Sequence, residues 1–190
     1  MHLKIKILSI FFLIITMNFM AQDDYVNDNQ IRYEDWTYKP YIKTVQLHES
    51  TFDANPAILQ FNSSEQLELS FDDLEADRKN YSISFIHCDA NWEPSNLVYA
   101  EYMNGFFEAN ILNFNFSTNT IQKYTHYSIL FPQSNMNFSK TGNYIVYVYQ
   151  DNDKEKLVAT KRFMIYENKV TVVANVRQAI GNDEQYEKQH

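Results

Sequence analysis

Side chains along much of this chain repeat with a period of two. Gln66-Leu67-Glu68-Leu69-Ser70-Phe71-Asp72 sets Leu67, Leu69 and Phe71 on one side and polar groups on the other. Successive strand residues face opposite ways, so this is the pattern of a strand with one wet face. Tyr81-Ser82-Ile83-Ser84-Phe85-Ile86-His87-Cys88 repeats it, with Tyr81, Ile83, Phe85 and His87 together and Cys88 opposite, beside Ile86. Further strands are expected at Tyr41–Leu47, Ala57–Phe61 and His126–Phe131. Asn143–Tyr149 is apolar at every position after Asn143, which requires cover on both faces or a partner on one. With Leu157–Tyr166 across the turn Asp151-Asn152-Asp153-Lys154-Glu155 it forms a predicted hairpin. No stretch keeps helical spacing over three turns. Sequential strands divided by polar turns predict an all-β fold, an immunoglobulin-like antiparallel β-sandwich.

The span from about Tyr38 to Glu167 exceeds the ~100 residues of a minimal sandwich of this type. The surplus falls in Asn91–Gln122, read as a long inserted loop region bearing Trp92, Tyr99, Tyr102, Phe106, Phe107, Phe114 and Phe116. Connections this long usually carry function or structure of their own. Lys4 and Lys6 followed by the apolar run Ile7–Ile15 make a secretory signal peptide the reading for residues 1–21, because the run is too short to span a bilayer. The expected organisation is then a signal peptide (1–21), a flexible N-terminal arm (22–36), a β-sandwich (37–168) and a remainder (169–190). That remainder holds an alternating Val170, Val172, Ala174, Val176 strand and is either the start of a missing second half or a polar tail.

Composition removes several functions. The 24 acidic residues against 16 Lys and Arg, a net charge of −8, oppose nucleic-acid binding, which needs cations against phosphate. A single Cys excludes an internal disulfide and a four-Cys zinc site, and no two His stand at ligand spacing. No cofactor motif is present. His87-Cys88-Asp89 holds the parts of a Cys–His enzyme, but strand neighbours point apart, and the other histidines are His2, His48, His126 and His190. Cys88 is expected to be a buried structural residue. The 14 Tyr and 14 Phe fit a sandwich core, a protein interface or a carbohydrate platform equally well.

Phe85-Ile86-His87-Cys88-Asp89-Ala90-Asn91-Trp92-Glu93-Pro94-Ser95-Asn96-Leu97 resembles the central signature of the type IX secretion system plug proteins of the Bacteroidetes. Arg32-Tyr33-Glu34-Asp35, Glu101-Tyr102-Met103-Asn104-Gly105-Phe106, Tyr124-Thr125-His126-Tyr127, Lys140-Thr141-Gly142-Asn143-Tyr144 and Thr160-Lys161-Arg162-Phe163-Met164 continue the likeness in order. The resemblance implies a non-enzymatic periplasmic β-sandwich, peripheral to the outer membrane, that docks on and seals a large outer-membrane β-barrel translocon. It implies no cofactor, no metal and no nucleic acid, with no transmembrane segment in the mature chain. Family members run to roughly twice this length, so the match corresponds to an N-terminal half. On this reading His87, Cys88, Asp89, Trp92, Pro94 and Gly105 are structural motif residues, and Trp92, Tyr99, Tyr102, Phe106 and Phe107 are the expected partner contacts. The alternative is a periplasmic or surface module that binds carbohydrate or protein through the same aromatics.

Overall fold

The computed structural model describes residues 29–174, so the expected signal peptide, the start of the arm and the chain after Ala174 lie outside the described residues. The described residues from Ile31 onward belong to one compact unit. Its elements are β1 (Trp36–Thr37), β2 (Ile42–Glu49), β3 (Ile58–Gln60), β4 (Leu67–Asp73), β5 (Tyr81–Cys88), α1 (Tyr99–Tyr102), β6 (Met103–Gly105), β7 (Glu108–Asn110), β8 (Asn113–Phe116), β9 (Thr125–Phe131), β10 (Met136–Phe138), β11 (Gly142–Gln150) and β12 (Asp153–Tyr166). The class is the one read from the sequence: nearly all β, in antiparallel sheets packed as a sandwich.

One sheet runs β1-β12-β11-β5-β7, with β3 joining β12 beyond β1 in the one parallel pairing among the described residues; the other runs β2-β4-β9-β8. Inward residues of both sheets meet in a common core that includes Leu67, Leu69, Phe71, Ile83, Phe85, Tyr127, Phe131, Val146 and Phe163. Phe163 is a hub: its ring stacks on Tyr144 at 5.3 Å and meets Phe131, Phe138 and Phe85 edge-on at 5.4, 5.6 and 6.0 Å. Each fully buried Phe removes enough apolar surface from water to stabilise the fold by about 1.5–3 kcal/mol.

β11 is covered on both faces, as its unbroken apolar run requires. Tyr144, Val146 and Val148 enter the main core, while Ile145, Tyr147 and Tyr149 join Tyr38, Cys88 and Leu157 in a second cluster beneath Ile31, Tyr33 and Trp92. The β11–β12 hairpin is present, but its turn is shorter than the expected five residues. Asp151 and Asn152 both have positive φ (57° and 56°), the geometry of a two-residue turn that follows strand twist, and Asp153 already pairs with Gln150.

Three expectations are corrected. Asn91–Gln122 is not a long loop: it supplies α1, then β6, which pairs with β10, then β7 and β8, which extend one sheet each. Strands of three or four residues rich in Asn have no room to display alternation. The end of the arm is fixed in place. Thr160 donates to the Glu34 carbonyl (2.7 Å), the Asp35 carboxylate takes the Arg162 N–H (2.8 Å), and Trp36 pairs with Thr160. Finally, Val170–Ala174 has no regular secondary structure, and Val172 is 87% exposed. β12 already has β11 on one side and β1 and β3 on the other, which leaves no ladder for a further strand there.

Candidate partner-binding surface

The motif His87-Cys88-Asp89 ends β5 in a closed corner. The Asp89 carboxylate accepts the N–H groups of Asn91 (2.8 Å) and Glu93 (3.0 Å), and the Asp89 carbonyl accepts the Asn143 side-chain amide (2.9 Å). Trp92 takes a left-handed backbone (φ 67°), and Pro94 bridges back to Cys88. Arg162 lies 4.5 Å over the Trp92 ring and donates its guanidinium to the Tyr33 carbonyl (2.8 and 2.5 Å), which clamps the N-terminal segment against the corner.

His87 and Cys88 are on opposite faces, as strand geometry requires. The His87 ring packs edge-on to Tyr144 (4.9 Å). Its Nε2 faces the Thr141 carbonyl at 3.3 Å, which can only accept, so the Nε2–H donates there, while Nδ1 lies 2.9 Å from the Ser95 hydroxyl. Cys88 is buried in the second cluster, and burial, reinforced by Asp89, pushes its thiol up to about 11. These residues build a corner. Gly142 belongs to it, because a Cβ there would stand 2.8 Å from His87 Nε2.

Past the corner, Glu101 caps α1 by accepting the Val98 N–H (2.8 Å), and the helix directs Tyr102 inward. Tyr102 is only 4% exposed and donates to the Phe85 carbonyl (3.2 Å), with burial the chief cause of its raised phenol pKa. It is a core residue and leaves the set of expected contacts. Gly105 then turns the chain at φ 85°, where a Cβ would lie 2.2 Å from the Asn135 carbonyl oxygen. That close approach lets the Phe106 N–H reach the same oxygen at 2.9 Å. Phe106 is thereby held outward, 62% exposed. Phe107 is pinned by the Ser84 hydroxyl on its carbonyl (3.0 Å), and its ring stacks on Tyr99 at 4.6 Å under Lys154. Lys154 is paired with Glu108, which also accepts the Tyr149 hydroxyl (2.9 Å). An apolar ledge beside β7 thus has two parts: the stacked Tyr99–Phe107 pair, and exposed Phe106, adjacent in the chain but with no ring contact to either among the described residues; exposed Val98 precedes them, and Trp92 sits apart, in the corner.

Sequence reasoning missed two neighbours of this ledge. Leu112 and Leu130 are exposed and share with Phe106 a groove of about 610 Å³. Neither carried a signal: Leu112 sits beside Ile111 and close to Phe114, and Leu130 is flanked by Ile129 and Phe131.

Among the described residues one acidic trio, Asp73, Glu75 and Asp77, has metal-ligand proximity. Its cation is already supplied. Lys79 Nζ reaches Asp73 at 2.7 Å and Asp77 at 3.2 Å and also pairs with Glu75. Burial of Lys79 disfavours its charge, but the hydrogen bonds to the three carboxylates outweigh this and hold its pKa above the ordinary lysine range. No helix among the described residues is long and apolar enough to cross a membrane.

A family model described as the first domain of the type 9 secretion system plug protein matches residues 42–167. No curated protein matches the chain. Among solved structures, a hypothetical protein from Parabacteroides merdae is 29% identical with a TM-score of 0.67, over 72% of this chain and 34% of that one. The chain thus spans about a third of that relative's length. An alkylpurine DNA glycosylase from Pseudomonas fluorescens (8% identity, TM-score 0.35, 66% of this chain and 30% of that one) is too distant to carry any argument. The same holds for a CARDB domain from Pyrococcus furiosus (11%, 0.31, 72% and 98%). The ordered motifs, the sandwich and the match over residues 42–167 lead to one assignment: the chain belongs to the type 9 secretion system plug protein family, as its first domain.

Proposed function

We propose that this protein is a non-enzymatic, periplasmic component of type 9 secretion that docks on the outer-membrane β-barrel translocon and helps to close it when no cargo is in transit. The family match over residues 42–167 carries this reading. A barrel wide enough for folded cargo leaks solutes unless something rigid covers its mouth. A two-sheet body whose connections are tied down by hydrogen bonds suits that task. The ledge of Tyr99, Phe106 and Phe107 is the contact surface we assign. Phe106 is large, apolar, exposed and held by a backbone hydrogen bond to Asn135, so little backbone ordering entropy is lost when it is buried. A reversible cap calls for a mixed interface of standard size with a few aromatic anchors.

The carbohydrate reading is weaker on geometry. A sugar platform needs free ring faces, whereas Tyr99 and Phe107 stack on each other and Arg162 lies over Trp92. Co-purification from detergent-solubilised outer membranes tests the proposal. The tagged full chain should retain a very large β-barrel protein, and Phe106→Ala should weaken retention by about 2 kcal/mol, or roughly thirtyfold. Absence of any barrel protein from the wild-type eluate refutes it.

A further inference from the structure

The link from β7 to β8 crosses from one sheet to the other through Ile111 and Leu112 alone, so the last strands of both sheets lie side by side there. The 610 Å³ groove opens at this place. Its apolar lining is Phe106, Ala109, Leu112, Ile129 and Leu130; its charged lining is Glu68 and Glu108, with no Lys or Arg. β8 pairs with β9 only over Thr125–Ser128. Among the described residues no strand pairs with Ile129–Phe131 on that side, and none pairs with the outer edge of β7.

Two other edges of the sandwich are blunted. β2 carries an irregularity between Lys43 and Gln46, with Thr44 at φ 53°. The gap on β12 between β1 and β3 is closed by Asp35, which takes the Arg162 N–H and pairs with Lys161 at 2.6 Å. Bulges and charged covers of this kind keep other strands away. The β9 edge has neither, and it is bordered by exposed Leu112 and Leu130, 78% and 42% exposed.

We propose that an extended, basic segment of a partner protein adds to this edge as a strand, pairing with Ile129–Phe131 of β9. Alternate residues of an added strand face opposite ways, so one set of apolar side chains packs on Leu130, Leu112 and Phe106. Leu130 stands cross-strand from Glu68 on β4, which lies two strand spacings, about 9–10 Å, from the added strand; a Lys or Arg on that same face can reach over Leu130 toward the Glu68 carboxylate, which forms no ion pair among the described residues. Glu108 is held by Lys154 and Tyr149 and adds negative field to the rim. A second copy of this chain fits poorly, because edge-to-edge pairing would bring the two acidic rims together, and like charges oppose such pairing. The proposal rests on the reading of this face as the contact surface and adds the manner of binding and the chemistry of the partner segment.

The probe is a short acetylated peptide of alternating Lys and Val, used with the full chain and amide hydrogen exchange resolved by residue. Saturating peptide should slow exchange within Ile129–Phe131 by about tenfold or more. The same peptide with its alternate amides N-methylated should give no slowing, a Glu-Val version should bind at least about tenfold more weakly, and Leu130→Lys should abolish the effect. Leu130 points out of the sheet, so that variant keeps the core intact. No slowing with the Lys-Val peptide, or equal slowing with the N-methylated or Glu-Val peptide, overturns the proposal. Leu130→Lys that retains the barrel as well as wild type does so too, and leaves the plug reading standing. Failure of the wild type to retain a barrel strikes the plug reading instead and does not touch the peptide result.

Discussion

Lys79→Met should be among the most damaging single changes at a residue close to the surface. Asp73 is fully buried, and its carboxylate accepts from Lys79 Nζ (2.7 Å), the Tyr81 hydroxyl (2.9 Å) and the Glu75 N–H (2.9 Å). At 2.7 Å and an effective dielectric of about 20 the ion pair is worth roughly 6 kcal/mol before desolvation is counted. The two neutral donors remain after the substitution, and Glu75 and Asp77 return to water, so the net loss is smaller. Removal of one partner from a buried pair usually costs about 3–5 kcal/mol, and about 3 kcal/mol is expected here. Asp73→Asn should cost about 1–2 kcal/mol, because Lys79 keeps two exposed carboxylates and Asn can still accept from Tyr81. The double variant should fall at least about 1 kcal/mol short of the sum. Urea unfolding at neutral pH, at low salt and at about 0.5 M NaCl, gives these numbers; the coupling should survive the salt that would screen an exposed pair. A Lys79→Met loss below about 1 kcal/mol, or additive costs, would show that Asp73 is solvated and that the cluster is ordinary surface charge.

Other consequences follow from single contacts. Gly105→Ala should destabilise by about 2–4 kcal/mol, from left-handed strain plus a Cβ driven against the Asn135 carbonyl; a melting temperature within a degree or two of wild type contradicts that geometry. Cys88 should resist iodoacetamide at pH 8 in the folded protein and react fully in urea, because the thiol is buried and its pKa is pushed up to about 11; rapid native labelling refutes this. Tyr81, Tyr144, Tyr147 and Tyr149 have raised phenol pKa values, chiefly through burial. A phenol raised in the fold contributes stability fully below its unfolded pKa of about 10, and that contribution is lost as pH rises beyond it. Phenolate absorbance from these residues should therefore appear only together with loss of β-sheet circular dichroism at strongly alkaline pH. A titration completed with the fold intact would mean that the rings are wet.

Burial on one face is what made the fold readable. β4, β5 and β9 alternate because each has a core side and another side, and β5 was placed from Tyr81 to Cys88 to the residue. The opposition of His87 and Cys88 followed from the same rule. The short strands β6, β7, β8 and β10 were invisible, because three or four residues cannot show a period and their neighbours are Asn and Gly. β3 was foreseen as a strand, but nothing local announces a parallel pairing to residues more than a hundred positions away. The ledge was half legible. Tyr99, Phe106 and Phe107 were named from aromatic content, yet Tyr102 came with them, since the residue type does not say which way a single helical turn points. Lys79 at the centre of three carboxylates was also hidden, because a charged turn reads the same whether its charges converge or disperse.

A photo-reactive residue at position 106, introduced into the full chain in cells with an active type 9 system, offers the most direct test of the assigned surface. Irradiation should yield one dominant adduct with a very large outer-membrane β-barrel protein. The same residue at Phe52, equally exposed but on the β2–β3 connection, should yield none. Adducts from position 52 but not 106, or none with any outer-membrane protein from either, would contradict the placement of the docking face.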